Sequence, residues 1–169
     1  MKWNNFVKNK YTINGDRMKK LKPLIVSIGL PLLLGAISAF ISNMDTYSEI
    51  NKPFLSPPGI VFPIVWTILY ILMGVSKYLI SKENNNETAS LIYYIQLIIN
   101  VIWPLVFFNA REYLVALAII IILIIFVITM IIEFRKLNKT AAYLQIPYLI
   151  WLLFATYLNF QVVILNWMI

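Results

Sequence analysis

The chain contains neither cysteine nor histidine. Without cysteine there is no disulfide, no thiolate metal site and no cysteine nucleophile. Without histidine the commonest general base, the usual axial ligand of porphyrin iron and most metal sites are also excluded. Glycine is sparse, and its five isolated residues build no glycine-rich phosphate loop. Charge is sparse too, at 12% of residues, and every carboxylate falls outside or at the edge of the apolar runs. A nucleophile and base within one such run would have to come from Ser, Thr, Tyr or Lys, and no such set assembles. The chain therefore reads as a binder before it reads as an enzyme, with no metal site and no required cofactor.

Apolar residues are abundant. In 169 residues, one domain's worth, 61% are hydrophobic and 15% aromatic, with a mean hydropathy of +0.80. The bilayer is the solvent for such a chain. Five apolar runs are long enough to cross it, at residues 24–42, 59–80, 89–108, 113–132 and 141–166. The expected fold is an all-α integral membrane protein, a bundle of five transmembrane helices over residues 23–169. A basic N-terminal arm, residues 1–22, precedes it and is expected to be poorly ordered at the membrane surface. Met18, which opens MKKLKP, is a second candidate start of translation. A secretory leader is the competing reading of the first run, but the length of the run, Pro31 within it and the lack of a small-residue cleavage site favour a span.

The formal net charge of +7 would suit a nucleic acid if the charges were clustered, but they lie between the apolar runs. Topology explains them better, and no nucleic-acid partner is expected. Twelve Lys and Arg fall on the side of the N-terminus, against Lys52 and Arg111 on the other. This asymmetry puts the N-terminus in the cytoplasm and the C-terminus outside. Lys52 reads as a solvated interfacial lysine and Arg111 as the partner of Glu112. The arm's charges, interrupted by Trp3, Phe6 and several asparagines, read as solvated rather than lipid-bound.

The least ordinary stretch is KPFLSPPGIVFPIVWTILY at residues 52–70. Pro53, Pro57 and Pro58 hold an extended segment, and Phe62, Trp66 and Tyr70 then recur every fourth residue on one helical face. The third run carries Gln96, Asn100, Trp103 and Phe107 at helical spacing, and the fifth carries Gln145, Pro147, Tyr148, Trp151 and Asn159. An unpaired amide in hydrocarbon costs several kcal/mol, on the order of 2–7. Asn100 and Asn159 therefore face protein, water or a ligand. Either they bond one another or a carbonyl freed by Pro63, Pro104 or Pro147, or they orient a guest in a slot walled by Trp66, Trp103 and Trp151. The fourth run, nearly all Ile, Leu, Val and Ala, reads as a lipid-facing or filler helix with nothing chemical on it. Gly35 and Ala39 form a small-xxx-small pair suited to close helix packing.

Three stretches taken together, residues 52–70, QLIINVIWPLVFF at 96–108 and PYLIWLLFATYLNFQVVILN at 147–166, resemble the translocator protein or tryptophan-rich sensory protein (TspO/MBR) family. The resemblance covers about residues 23–166. It implies a five-helix bundle, usually a homodimer, with a pocket at the end opposite the N-terminus, closed by the loop over residues 43–58. It also implies porphyrin ligands such as protoporphyrin IX and a role as sensor, receptor or carrier. The site expected from residues and resemblance together comprises Tyr47, Pro57, Phe62, Trp66, Tyr70, Asn100, Trp103, Phe107, Tyr148, Trp151, Ala155 and Asn159. An alternative is light-dependent degradation of protoporphyrin with Trp66 and Trp151 as donors; another is a ligand-free packing protein. Leu55 stands where several relatives carry tryptophan, which weakens the photochemical reading. The family's cholesterol pattern would need a basic residue after Tyr157, where Asn159, Phe160 and Gln161 follow.

Overall fold

In hydrocarbon a backbone must satisfy its own hydrogen bonds, and the apolar runs do so as helices. The computed structural model describes residues 2–166, with side chains from residue 21 onward. The solvation of the basic arm up to Lys20 and the last three residues of the expected domain lie outside the described residues. The elements are α1 (Lys2–Ile41), α2 (Thr46–Glu49), α3 (Val61–Ile80), α4 (Glu87–Pro104) continued by one π-helical turn (Leu105–Asn109), α5 (Tyr113–Leu137), α6 (Lys139–Tyr143) and α7 (Ile146–Asn166). Five helical stretches are long and apolar enough to cross a membrane: Leu21–Ile41, Val61–Ile80, Glu87–Asn109, Tyr113–Leu137 and Lys139–Asn166.

Several boundaries differ from the sequence reading. The backbone is helical from Lys2 and continues into the first span, where a loose arm was expected. No proline precedes Pro23 in that segment, and its Lys, Arg, Met and Leu residues are good helix formers. α5 extends to Leu137, so residues 133–137 are helix rather than loop. Asn138 ends it in an extended conformation and caps α6, accepting from the Ala141 N–H at 3.0 Å. The fifth span is broken at Leu144 and Gln145, two residues before Pro147, which has no N–H to give the carbonyl of Tyr143.

The fourth span leaves one side exposed, with Ile121, Ile125, Ile128 and Ile132 outward, but its other side is no filler. Ala116, Ile120, Leu123, Val127, Met130 and Phe134, alternately four and three residues apart, are all buried in a seam on α5 that packs against α4 and α7. On the other side α1 lies along α3, and the contact is close because Gly74 has no side chain. A Cβ there would stand 2.3 Å from the Ile28 Cα and 2.7 Å from the Ser27 carbonyl oxygen. α3 and α7 meet through aromatic rings, Phe62 on Trp151 and Trp66 on Tyr148, each pair 6.1 Å apart and edge-on.

Gly74→Ala must therefore move one helix backbone away from another, and about 1–3 kcal/mol of stability should be lost. Thermal unfolding in detergent checks this. Gly29→Ala, whose Cβ would meet nothing within 4 Å, should leave the transition unchanged or slightly higher.

Candidate ligand site

α3 begins where the proline-held segment ends: the Val61 N–H bonds to the Pro58 carbonyl and that of Phe62 to Gly59. Pro63 sits in the first turn, where a missing N–H costs nothing. From there the four-residue spacing places Phe62, Trp66 and Tyr70 along one wall of a cavity of about 380 Å³. That volume falls in the range of small-molecule sites, about 300–1,000 Å³. Trp66 stacks on Tyr70 at 5.4 Å, and Tyr47 from the loop meets Phe62 edge-on at 5.2 Å. Trp103, Pro104 and Phe108 form the facing wall, Gly35, Ser38 and Ala39 of α1 a third, and Met44 and Gly59 complete the loop side.

The π turn sets the facing wall. Pro104 offers no N–H, and the wider turn that follows carries Phe107 and Phe108 side by side with rings 4.9 Å apart. Phe108 lines the cavity, whereas Phe107 lines only a recess of about 30 Å³ behind it, together with Ala155, Asn159 and Val162. Regular helical spacing selects Phe107 and overlooks Phe108, because the signal for the shift is the proline and not the period. Gly35 and Ala39 were legible only as a packing pair; they also line the cavity. A Cβ on Gly35 would come 2.0 Å from Tyr70 Cε2, so the glycine makes room for the Tyr70 ring.

Of the expected site residues, Tyr47, Phe62, Trp66, Tyr70 and Trp103 line the cavity, and Phe107, Ala155 and Asn159 line the recess. Pro57, Asn100, Tyr148 and Trp151 line neither. The Pro57 carbonyl accepts the Tyr47 hydroxyl and so holds that ring against the cavity. Asn100 is buried behind the wall. The Tyr70 hydroxyl donates to its Oδ1 at 2.8 Å, its Nδ2 donates to the Tyr148 hydroxyl at 2.9 Å, and Tyr148 donates to Gln96 Oε1 at 3.1 Å. Its partners are thus phenols rather than a second asparagine or a freed carbonyl. Asn159 accepts from the Trp103 indole at 3.2 Å and donates to the Tyr113 carbonyl at 2.8 Å. Trp151 stands behind Phe62, and its indole N–H is buried without a partner among the described residues.

The loop over residues 43–58 covers this end of the bundle through polar ties. Thr46 donates to the Phe108 carbonyl at 2.8 Å, and the Asn43 N–H donates to Asn109 Oδ1 at 2.6 Å. Asn51 and Asn166 exchange two bonds, at 3.0 and 3.2 Å. Arg111 pairs with Glu49 at 2.5 Å, across to the loop, and not with its neighbour Glu112. Arg111 has φ 58°, a left-handed conformation that redirects the chain at this turn. Lys52 is not simply solvated: its Nζ lies 4.6 Å above the Tyr47 ring. Burial raises the Tyr47 phenol above its ordinary value and so reinforces the protonated form, which donates to the Pro57 carbonyl. Among the described residues no charged side chain lines the cavity. Such a lining can grip a flat apolar guest by stacking.

The TspO/MBR family profile matches residues 27–165. A tryptophan-rich sensory protein of Cereibacter sphaeroides is 35% identical over 85% of this chain and 89% of its own. A tryptophan-rich protein TspO of Chlorobaculum tepidum is 37% identical over 88% and 98%. The human translocator protein is 35% identical over 69% and 72%.

Three substitutions test the wall. Gly35→Ala should lower stability by about 1–3 kcal/mol, since Tyr70 is held by Asn100 and cannot swing aside freely. In a Tyr70→Ala background most of that cost should vanish. Asn100→Leu should cost on the order of 1–3 kcal/mol by stranding the Tyr70 hydroxyl, while Tyr148 keeps its bond to Gln96. Thermal unfolding of the four single and double variants reads both.

Proposed function

Because this chain belongs to the TspO/MBR family, we propose that it is a membrane receptor or carrier for porphyrin-like tetrapyrroles, held in the aromatic cavity. The observation that carries this reading is the wall itself: Trp66 stacked on Tyr70, faced by Trp103 and Phe108, with no charge inside. A porphyrin is a flat apolar disc with two carboxylates at one edge. The disc suits the stacked rings, and Lys52, poised over Tyr47 at the lid, suits a propionate. Arg111 is already engaged by Glu49. With no histidine in the chain, metal-free porphyrin is the better guest than tightly ligated haem.

The charge asymmetry supports an orientation with the N-terminus in the cytoplasm, so that the cavity opens toward the outer face. A homodimer is carried over from the family resemblance. Photo-oxidation of a bound porphyrin is a second reading, favoured by the two tryptophans that line the cavity. Its donors would be Trp66 and Trp103, because Trp151 stands behind Phe62.

Titration of the purified protein with protoporphyrin IX in the dark, followed by tryptophan fluorescence, tests the binding. Saturable quenching is expected, weakened in Trp66→Phe and Trp103→Phe and little changed in Trp151→Phe. Its absence would refute the porphyrin reading. Lys52→Ala should weaken protoporphyrin by up to about fivefold, the range of an exposed ion pair, and leave its dimethyl ester unaffected. Illumination of the complex should leave the porphyrin absorption intact if the protein only binds; bleaching lost in Trp66→Phe supports the second reading.

A further inference from the structure

Four buried polar atoms inside the bundle have no hydrogen-bonding partner among the described residues: the Tyr93 hydroxyl, Gln96 Nε2, and both Nε2 and Oε1 of Gln145. All three residues are 0% exposed. They are not scattered. Tyr93 and Gln96 are one turn apart on α4, and Gln145 precedes Tyr148 by one turn. The third and fifth spans are two crossings apart and run in the same direction, and Tyr148 reaches Gln96 at 3.1 Å. By that register Gln145 and Tyr93 each lie one turn before the bonded pair, on parallel spans. A fifth such atom, the Trp151 indole nitrogen, lies more than a turn further along the fifth span and is single.

We infer that Tyr93, Gln96 and Gln145 form an internal water-binding site at the break in the fifth span. Buried polar groups are almost always paired, and a broken membrane helix is commonly satisfied by ordered water. Here the break falls on Gln145, whose N–H bonds three residues back to the Ala142 carbonyl. The chemistry of the set selects water over other occupants. It offers donors at Gln96 and Gln145, an acceptor at Gln145 Oε1 and a hydroxyl that serves as either, while a water molecule accepts two bonds and donates two. None of the three side chains carries a charge to hold an ion. Apolar and aromatic neighbours, Phe134 and Leu97 among them, belong to the same core cluster and confine the guest to a small one.

The site also completes a path. The Tyr70 hydroxyl, Asn100, Tyr148 and Gln96 make a continuous chain of hydrogen bonds from the cavity wall. Water on Gln96 Nε2 extends that chain to the helix break, so the ring that meets a guest is tied to internal solvent. This inference stands whatever the cavity binds.

Radiolytic hydroxyl labelling of the whole protein in oxygen-18 water tests it, since radicals formed at a bound water mark the rings beside it. Tyr93 stacks on Phe134 at 6.4 Å, and both are fully buried. If the site holds water, Tyr93 should take up label severalfold faster than Phe134, and Gln145→Leu should bring it down to the Phe134 rate. Equally slow labelling of both rings in the unmodified protein would overturn the inference, whether or not the variant folds. A folded variant in which Tyr93 still labels fast would remove Gln145 from the site and overturn it in this form.

Discussion

An amide in the bilayer interior cannot turn to bulk water for its partners, and Asn100 is where this constraint bears hardest. Its two amide atoms are taken by Tyr70 of α3 and Tyr148 of α7, so one side chain on α4 joins three helices. Much else follows from that junction. Tyr70 is held upright against Trp66, Gly35 is obliged to have no side chain beside it, and the ring between them becomes a cavity wall. Interhelical amide bonds in membranes are individually modest, about 0.6–2 kcal/mol. Their effect here is to define which face of each helix points inward.

The irregular parts of the backbone sit at the same two places as the polar chemistry. The π turn after Pro104 shapes the cavity wall, and the break before Pro147 holds Gln145. Departures from α-helix are tolerated at membrane depth only where protein or solvent can satisfy the freed groups. The regular fourth span contrasts with both: α5 has no such break and serves as the seam on which α4 and α7 pack. Rigid packing on one side of the bundle leaves the other side, between α1, α3 and the third span, free to enclose a guest.

The loop that covers the cavity is tied by bonds of a different character. Asn51 with Asn166, Asn43 with Asn109, and Glu49 with Arg111 are all exposed pairs. Such contacts are weak individually in water, about 0–1 kcal/mol for an ion pair. Among the described residues the one buried tie is Thr46, whose hydroxyl donates to the Phe108 carbonyl and anchors the loop to the cavity wall.

The amino-acid sequence by itself determined the five spans, the charge asymmetry between the loops and the aromatic face of α3, because run length, composition and helical period are local properties. It pointed to Tyr47, Phe62, Trp66, Tyr70 and Trp103, which do line the cavity. Only the tertiary structure decided that Asn100 and Tyr148 stand behind the wall, that Trp151 is screened by Phe62, that Phe108 lines the cavity and that Arg111 reaches Glu49. Each of these depends on how one helix is rotated against another. In a bilayer that rotation is hard to read from composition, because lipid tails and a protein core are equally apolar. The buried stripe of α5 and its lipid-facing side are written in the same Ile, Leu and Val, and nothing but packing separates them.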